Sequence, residues 1–455
     1  MSKQFRPWNP DQSFLFPPSP RDWLPENHLV YFLLDVVPQM NLQPILQPYQ
    51  AEERGQPPYH PTMLTTLLLY GYATGTFSSR RLMARCETDA AFRVLVGDDI
   101  PNFRTISDFR KRHLTALEGL FVEVLKLCAK AGLVKVGRIA LDGSKVKANA
   151  SRHKAMSYDY MLKEEQRLHK EIQALLAQAE EVDAAEDQHY GSDRRGDEVP
   201  EELARRQTRL QKIQEAKASL EADAREQAQA VATARQQAGK PPSGNDPEQA
   251  KPEPKAQYNF TDPESQIMKV SNKGWDQCMN AQVAVNEHQI IVAADVTDEA
   301  NDKQQVQPMI EQTQQNVVAA GVTEKVKEAV ADSGFYSEAN VAYLQGQGID
   351  PYIATERLKH HEQIAPPRGR CPQGLTPKQR MARKLRTKRG RERYARRKAM
   401  VEPVFGQVKH ARGFRQFLLR GKKKMRSEWR LVSLTHNLLK LWRQQQSKQQ
   451  TKQER

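Results

Sequence analysis

Val326-Lys-Glu-Ala-Val-Ala-Asp332-Ser-Gly-Phe-Tyr336 has the form of a short strand that ends at a carboxylate and is followed by small residues. The same plan occurs upstream, where Arg138-Ile139-Ala140-Leu141 ends at Asp142 and Gly143-Ser144-Lys145 follows. Small residues after each aspartate leave room for a phosphate backbone to approach. Residues 279–296 read as two more strands with a turn at Asn286-Glu287-His288, Gln304 to Ala320 as a helix, and Ile349 to Ala354 as another strand. Strands followed by helices, with an antiparallel hairpin among them, predict a mixed α/β (α+β) layer.

Taken singly, an aspartate that ends a strand reads as a cap or turn residue. A late glutamate changes that reading: Glu402, in Tyr394-Ala-Arg-Arg-Lys-Ala-Met-Val-Glu402-Pro-Val-Phe-Gly-Gln-Val-Lys409. Three carboxylates on separate elements can hold a pair of hard divalent cations. Such a pair, about 3.5–4 Å apart, activates an attacking oxygen on one side of a phosphodiester and stabilises the leaving oxygen on the other. Magnesium uses one or two carboxylates per ion and keeps several waters, so a sparse Asp/Asp/Glu set suffices. Pro403 disfavours a helical conformation at Glu402, which predicts a kink or a restart there. With Pro403 in a first helical turn, Glu402 would sit at a helix N-terminus and Lys409 two turns on, on the same face.

The arrangement resembles the DDE transposases of bacterial insertion sequences, in the branch whose last acidic residue lies in a Tyr-Arg-Glu-Lys signature. The matching positions are Tyr394, Arg397, Glu402 and Lys409. Six residues separate Glu402 from Lys409, as in the family pattern, whereas four separate Arg397 from Glu402 where the common form has three. Gly334-Phe335-Tyr336 and the N-terminal Tyr59-His-Pro-Thr-Met-Leu64 belong to the same likeness, which covers most of the chain outside residues 155–258.

The resemblance implies a ribonuclease-H-like catalytic core. Asp142, Asp332 and Glu402 would be ligands of Mg²⁺, with Mn²⁺ as the alternative, and Lys409, Arg397 and Tyr394 would grip the phosphate. It also implies binding to the element's terminal inverted repeats, hydrolysis there, and transfer of the freed 3′-hydroxyl to target DNA. The partner is then double-stranded DNA, and two subunits work as a homodimer across two ends, close to the nucleoid of a bacterial cell. The residues themselves argue only for metal-dependent phosphodiester chemistry on nucleic acid. A non-catalytic DNA-binding regulator and a nuclease that cuts without joining stay open.

A chain of 455 residues suffices for two or three domains, and its formal charge of +15 favours a polyanionic partner. From Lys378 to Arg426 there are 20 Lys or Arg against 2 acidic residues, so the surplus is concentrated around Glu402. Against DNA each such contact releases counterions. Lys422-Lys423-Lys424 by themselves read as a solvated loop, and Trp429, Leu431, Leu434, Leu438, Leu439 and Trp442 as a helical stripe for core packing. Cys86, Cys128, Cys278 and Cys371 form no C-x-x-C pair, which argues against a disulfide framework or a zinc site. No apolar run approaches the ~20 residues that cross a bilayer, and a cytoplasmic protein with no membrane partner is expected.

Residues 1–27, rich in proline and aromatics, read as an extended arm, and 28–131 as a helical DNA-binding domain. Within the latter, Ser78-Ser79-Arg80-Arg81 and Thr105-Ile-Ser-Asp-Phe-Arg110-Lys111-Arg112 each start with a hydroxyl cap before a basic turn, a helix-turn-helix pattern. Arg104, Arg110, Lys111 and Arg112, with Arg80 and Arg81, are the candidate DNA contacts. The competing reading is a solvated face that packs through Ile106 and Phe109. Residues 132–154 and 259–445 form the expected catalytic domain. Between them, 155–239 reads as two long amphipathic helices broken near 189–200, and 240–258 as a Pro-rich linker. Asp295, Asp298 and Asp302 read as turn and helix-start residues, and His360 and His361 as solvated surface.

Overall fold

The computed structural model describes residues 19–50, 57–97, 99–190, 201–237, 246–270, 274–356, 367, 369 and 371–453. Most of the expected arm, the helix break at 191–200, the start of the linker, and His360 and His361 lie outside them. Residues 1–148 with 279–455 form one compact unit and 149–278 another. The described strands are β1 (Arg138–Lys147), β2 (Ala155–Ser157), β3 (Gln257–Asn259), β4 (Gln266–Lys269), β5 (Trp275–Asn286), β6 (Ile291–Thr297), β7 (Glu328–Ala331) and β8 (Asp350–Ile353).

In the first unit the strands lie in the order β6-β5-β1-β7-β8. β1, β7 and β8 run parallel, with Arg138 opposite Glu328 and Leu141 opposite Ala331, whereas β5 and β6 form an antiparallel hairpin with a bulge at Ala284/Val285. Ile139–Leu141 and Ala329–Ala331 are buried residue after residue, the mark of parallel strands covered on both faces. That covering explains why these strands read as unbroken apolar runs rather than alternating ones. Asp142 closes the apolar run but not the strand: residues 137–149 read as one strand, and β1 continues five residues beyond Asp142, to Lys147. Asp332, by contrast, follows the last residue of β7 and caps the short helix Ser333–Phe335.

Regular structure between residues 28 and 131 is helical throughout the described residues. The helix Pro61–Ala73 buries Leu64, Leu67, Leu68 and Tyr72, and the helix Leu114–Lys130 buries Leu117, Phe121, Val124 and Leu125. Both helices pack on the C-terminal helix Lys422–Gln453. That helix buries Trp429, Leu431, Leu434 and Leu438, as its stripe predicts, and Trp429 Nε1 donates to the carbonyl of Gln282 at 2.9 Å. Lys422–Lys424 form its first turn rather than a loop, and Lys422 pairs with Asp298 at 2.6 Å. The helix Phe103–Arg112 is capped by Asn102, whose side chain accepts from the Arg104 N–H; Thr105, the expected cap, lies inside it. No single helix among the described residues is long and apolar enough to cross a membrane.

The second unit is built on the helices Tyr158–Tyr190 and Glu201–Gln237. Met161, Leu168, Ile213 and Ala216 form its core. Tyr158 reaches Glu221, Glu165 reaches Lys217, and Glu171 reaches Arg206, so the helices run antiparallel. Short strands flank the pair: β2 pairs with β3, and β4 with the first residues of β5.

Candidate active site

The helix Lys388–Gly406 is fixed to the sheet by a chain of ions. Arg138, 5% exposed at the start of β1, holds Glu328 of β7 and Glu287 of the β5–β6 turn; Arg393 and Arg396 of the helix reach the same two glutamates at 3.2 Å. One turn on from Arg393, Arg397 Nη1 donates to Asp142 Oδ2 at 3.2 Å. Burial works against its charge, but Asp142, Tyr394, Asp332 and Glu402 around it raise its pKa on balance. The expected carboxylates therefore surround a guanidinium. Tyr394, also partly buried, has its hydroxyl pKa raised, chiefly by desolvation.

Asp142 is pushed up to about 7 by burial, while Arg397 and the Gly143 N–H favour its charged form and Asp332 and Asp302 oppose it. Asp332 Oδ1 accepts from the Gly334 N–H at 2.8 Å. Asp302 stands beside these two. It begins the turn Lys303–Gln305 as expected, yet its side chain makes no capping bond there. Instead Oδ1 accepts from Asn280 Nδ2 at 2.7 Å and Gln282 Nε2 at 2.6 Å. Sequence reading missed this role because a turn aspartate usually caps. The polar residues Asn280 and Gln282, alternating with Met279, Ala281 and Val283 in β5, were the available signal. Asp295 and Asp298 are engaged elsewhere, by Arg426 and Lys422.

The helix carrying Glu402 does not restart at Pro403: residues 388–406 are continuous, with Pro403 inside, and a π-turn Gln407–Ala411 follows. Glu402 is thus not at a helix N-terminus. Proline leaves the carbonyl four residues back without its helical donor. That carbonyl, of Ala399, is met by Gln289 Nε2 at 2.9 Å, from a β5–β6 turn residue held at φ 60°. An outside amide replaces the missing N–H, which lets the helix run on. Gln289→Ala is expected to cost about 1 kcal/mol of stability in denaturant unfolding, the worth of an ordinary hydrogen bond. No change would mean that water serves the carbonyl as well.

Glu402 itself is exposed. The extra residue after Arg397 matters here, because it moves Arg397 about 100° around the helix from the position one turn before Glu402. Lys398 takes that position and is exposed. Lys409 Nζ donates to Ser144 Oγ at 2.5 Å and to the Lys145 carbonyl at 2.7 Å, so it is tied to β1 just past Asp142. The structure thus gathers Asp142, Asp332, Arg397, Tyr394 and Lys409, with Glu402 at the rim. Among the described residues no three His, Cys, Asp or Glu side chains are close enough as they stand to hold a metal ion.

A family model described as Transposase domain (DUF772) matches residues 18–112, and one described as Transposase DDE domain matches residues 372–442, which include Glu402. The two matches support a DDE-type transposase of an insertion sequence. No curated protein and no solved structure matches it. Transposases act on DNA, and DDE domains generally use divalent metal. Asp142 and Asp332 lie outside both matched segments, so their place rests on the geometry above.

Of the transposase's candidate DNA contacts, Arg80, Arg81, Arg104, Lys111 and Arg112 are exposed, and the guanidinium groups of Arg80 and Arg104 lie 5.0 and 5.9 Å from the Phe103 ring centre. Arg110 is not among the exposed ones. It is 6% exposed, and Nη1 donates to the Tyr72 hydroxyl at 3.2 Å and the Phe77 carbonyl at 3.0 Å. Ile106 and Phe109 are buried beside it. The i, i+3, i+4 spacing carries Arg110 to the inner face with them. Tyr352 is buried, with Lys384 Nζ 4.0 Å from its ring centre.

Proposed function

We propose that this transposase binds the inverted ends of its own element, cuts the phosphodiester there and joins the freed 3′-hydroxyl to target DNA, with Asp142, Asp332 and Glu402 as ligands of Mg²⁺ or Mn²⁺. The observation that carries this is that Asp142 on β1 and Asp332, just past the end of the neighbouring parallel strand β7, lie beside the helix that carries Glu402. The order β6-β5-β1-β7-β8, with an antiparallel hairpin on one side and parallel strands on the other, supports a ribonuclease-H-like core.

The residues fit a hard cation. The donors are carboxylates, the buried amide oxygens Asn280 Oδ1 and Gln282 Oε1 have no partner, and Arg397 supplies positive charge where the carboxylates need it. Divalent cations bound there would polarise the scissile phosphodiester and activate the attacking oxygen. Arg397 holds Asp142 ready and can move from carboxylate to phosphate, because a guanidinium serves both by the same paired donors. Lys409, tied to β1, sets the phosphate's distance from Asp142, and Tyr394 supports Arg397. Arg80, Arg81, Arg104, Lys111 and Arg112 of the helical domain 28–131 meet DNA, and two subunits pair across two ends.

The test is strand cleavage of DNA carrying the element's ends. Cut and joined products are expected with Mg²⁺ and none with excess chelator; equal cutting in chelator overturns the metal mechanism. Cut but unjoined DNA would mean a nuclease, and a bound complex alone a regulator.

The elevated Asp142 pKa adds a pH dependence. Below about 7 its carboxyl is protonated in the metal-free chain, so cation binding must expel that proton. Affinity for Mg²⁺ is expected to fall as pH drops through about 7, with proton release seen by calorimetry in buffers of different ionisation enthalpy. In the metal-free chain the sign is opposite: the folded state binds the proton more tightly than the unfolded one, so this group's contribution to stability declines as pH rises towards about 7. A pH-independent affinity from 6 to about 8 would refute the assignment.

A further inference from the structure

Asp302 lies outside the Asp/Asp/Glu set, yet it is built into the same site. Both amides that hold it, Asn280 and Gln282, are fully buried on β5. With their NH₂ groups turned to Asp302 Oδ1, their oxygens turn away, and neither Asn280 Oδ1 nor Gln282 Oε1 meets a donor. A buried acceptor left unanswered costs about 1–3 kcal/mol. Two on one strand, at Asn280 and Gln282, mark a place that is incomplete without a donor or a cation.

The unanswered Asn280 oxygen and the Asp302 carboxylate face the same space beside Gly143. A Cβ built on Gly143 would come within 2.4 Å of Gln282 Nε2, 2.6 Å of Asp302 Oδ1 and 2.9 Å of Asn280 Oδ1. A Cβ built on Gly334 would lie 3.0 Å from both Asp302 Oδ2 and Asp332 Oδ1. Glycines at these two positions keep open a gap into which carboxylates from separate elements point. Lys145 Nζ, at 3.9 Å from Asp302 Oδ1, is the near cation on the β1 side.

We propose that Asp302 is a further oxygen ligand of the divalent cation held by Asp142 and Asp332, aimed by Asn280 and Gln282. This rests on the metal-dependent reading of the site given above. Carboxylate and carboxamide oxygens are the ligands that hard cations take. Like charges keep the carboxylates apart until a cation draws them in. The amides prevent Asp302 from retreating to solvent, so the cation finds one carboxylate already aimed. Asn280 and Gln282 are positioning residues in this arrangement, since they act through Asp302.

Mn²⁺ binding to the full-length protein, followed by electron paramagnetic resonance without DNA, tests the proposal. Asp302→Asn is expected to weaken Mn²⁺ about 10- to 100-fold, the range seen for groups around a bound metal. Its melting temperature without metal should stay near the parent's, while the rise on adding Mn²⁺ shrinks. Asp302→Ser, which keeps a hydroxyl for the amides and removes the charge, must show the same loss, and it guards against a folding defect peculiar to asparagine. Asp142→Asn is the control for the site itself. If either folded Asp302 variant binds Mn²⁺ like the parent while Asp142→Asn does not, Asp302 is outside the metal site and the broader reading stands. If Asp142→Asn also binds like the parent, or the parent binds no Mn²⁺, the site reading falls and this proposal falls with it.

Discussion

Glu402→Gln leaves the transposase folded and bound to its element's ends but lowers strand cleavage by at least about 100-fold, the upper end of what losing a group around a bound metal costs. The separation of effects follows from where the residue stands. Glu402 is exposed on a helix that Arg393 and Arg396 already hold, so its loss removes nothing from the fold. Substitutions at such surface positions stay within about 0.5 kcal/mol. Glutamine keeps the size and removes the charge that a cation requires. Gel-shift binding and cleavage measured on the same samples decide the matter. A variant that cuts at the parent's rate would show that another acidic group, with Asp302 first in line, completes the site.

Arg110→Ala is expected to lower the free energy of unfolding by about 3–5 kcal/mol, the cost of removing one partner from a buried pair. Arg110 bonds Tyr72, whose hydroxyl donates to Glu428 Oε1 at 3.3 Å, and Glu428 is 1% exposed. The N–H groups of Leu418 and Leu419 donate to its other oxygen. Without the guanidinium a carboxylate remains in the core with only these neutral donors. Burial already raises the Glu428 pKa, so the variant should suffer more at high pH than at low, where the carboxyl can take up a proton. Denaturant unfolding at two pH values measures this, and a loss below about 1 kcal/mol would mean that water enters and solvates Glu428. Arg80→Ala and Arg104→Ala, at exposed positions, should instead weaken DNA binding and leave stability alone.

The strands were legible because parallel strands covered on both faces leave unbroken apolar runs. Val326–Ala331 and Ile349–Ala354 narrowed to Glu328–Ala331 and Asp350–Ile353, and the hairpin kept its turn near His288. The short strands β2, β3 and β4 escaped notice, since three or four residues carry too little periodicity. Local rules misled at Pro403, where a side chain from a distant turn meets the carbonyl that proline leaves unbonded. They misled at Arg110 as well, because a basic run says nothing of which member faces inward. Asp302 was hidden for a related reason: its position in a turn was correctly read, but its partners lie some twenty residues earlier, on another strand.

The pairing of β1 with β7 joins residues 190 apart, and the whole second unit is strung between β1 and its neighbour β5. Closing so long a span would be slow for a featureless chain, because non-local pairings set the folding rate. The intervening helices contact each other over much shorter separations, as between Gln214 and Glu165, 49 residues apart. Once they zip together, the long excursion becomes a short tether and its closure entropy falls. The expected order of assembly is hairpin first, central sheet afterwards, and the Glu402 helix last, since its anchors Glu287 and Glu328 lie on the β5–β6 turn and β7 of the sheet; pulsed hydrogen exchange during refolding checks it, and early protection of residues 388–406 would overturn it. On that order the proposed cutting edge is the last part of the first unit to form, so a chain that has not closed its sheet is expected to lack it.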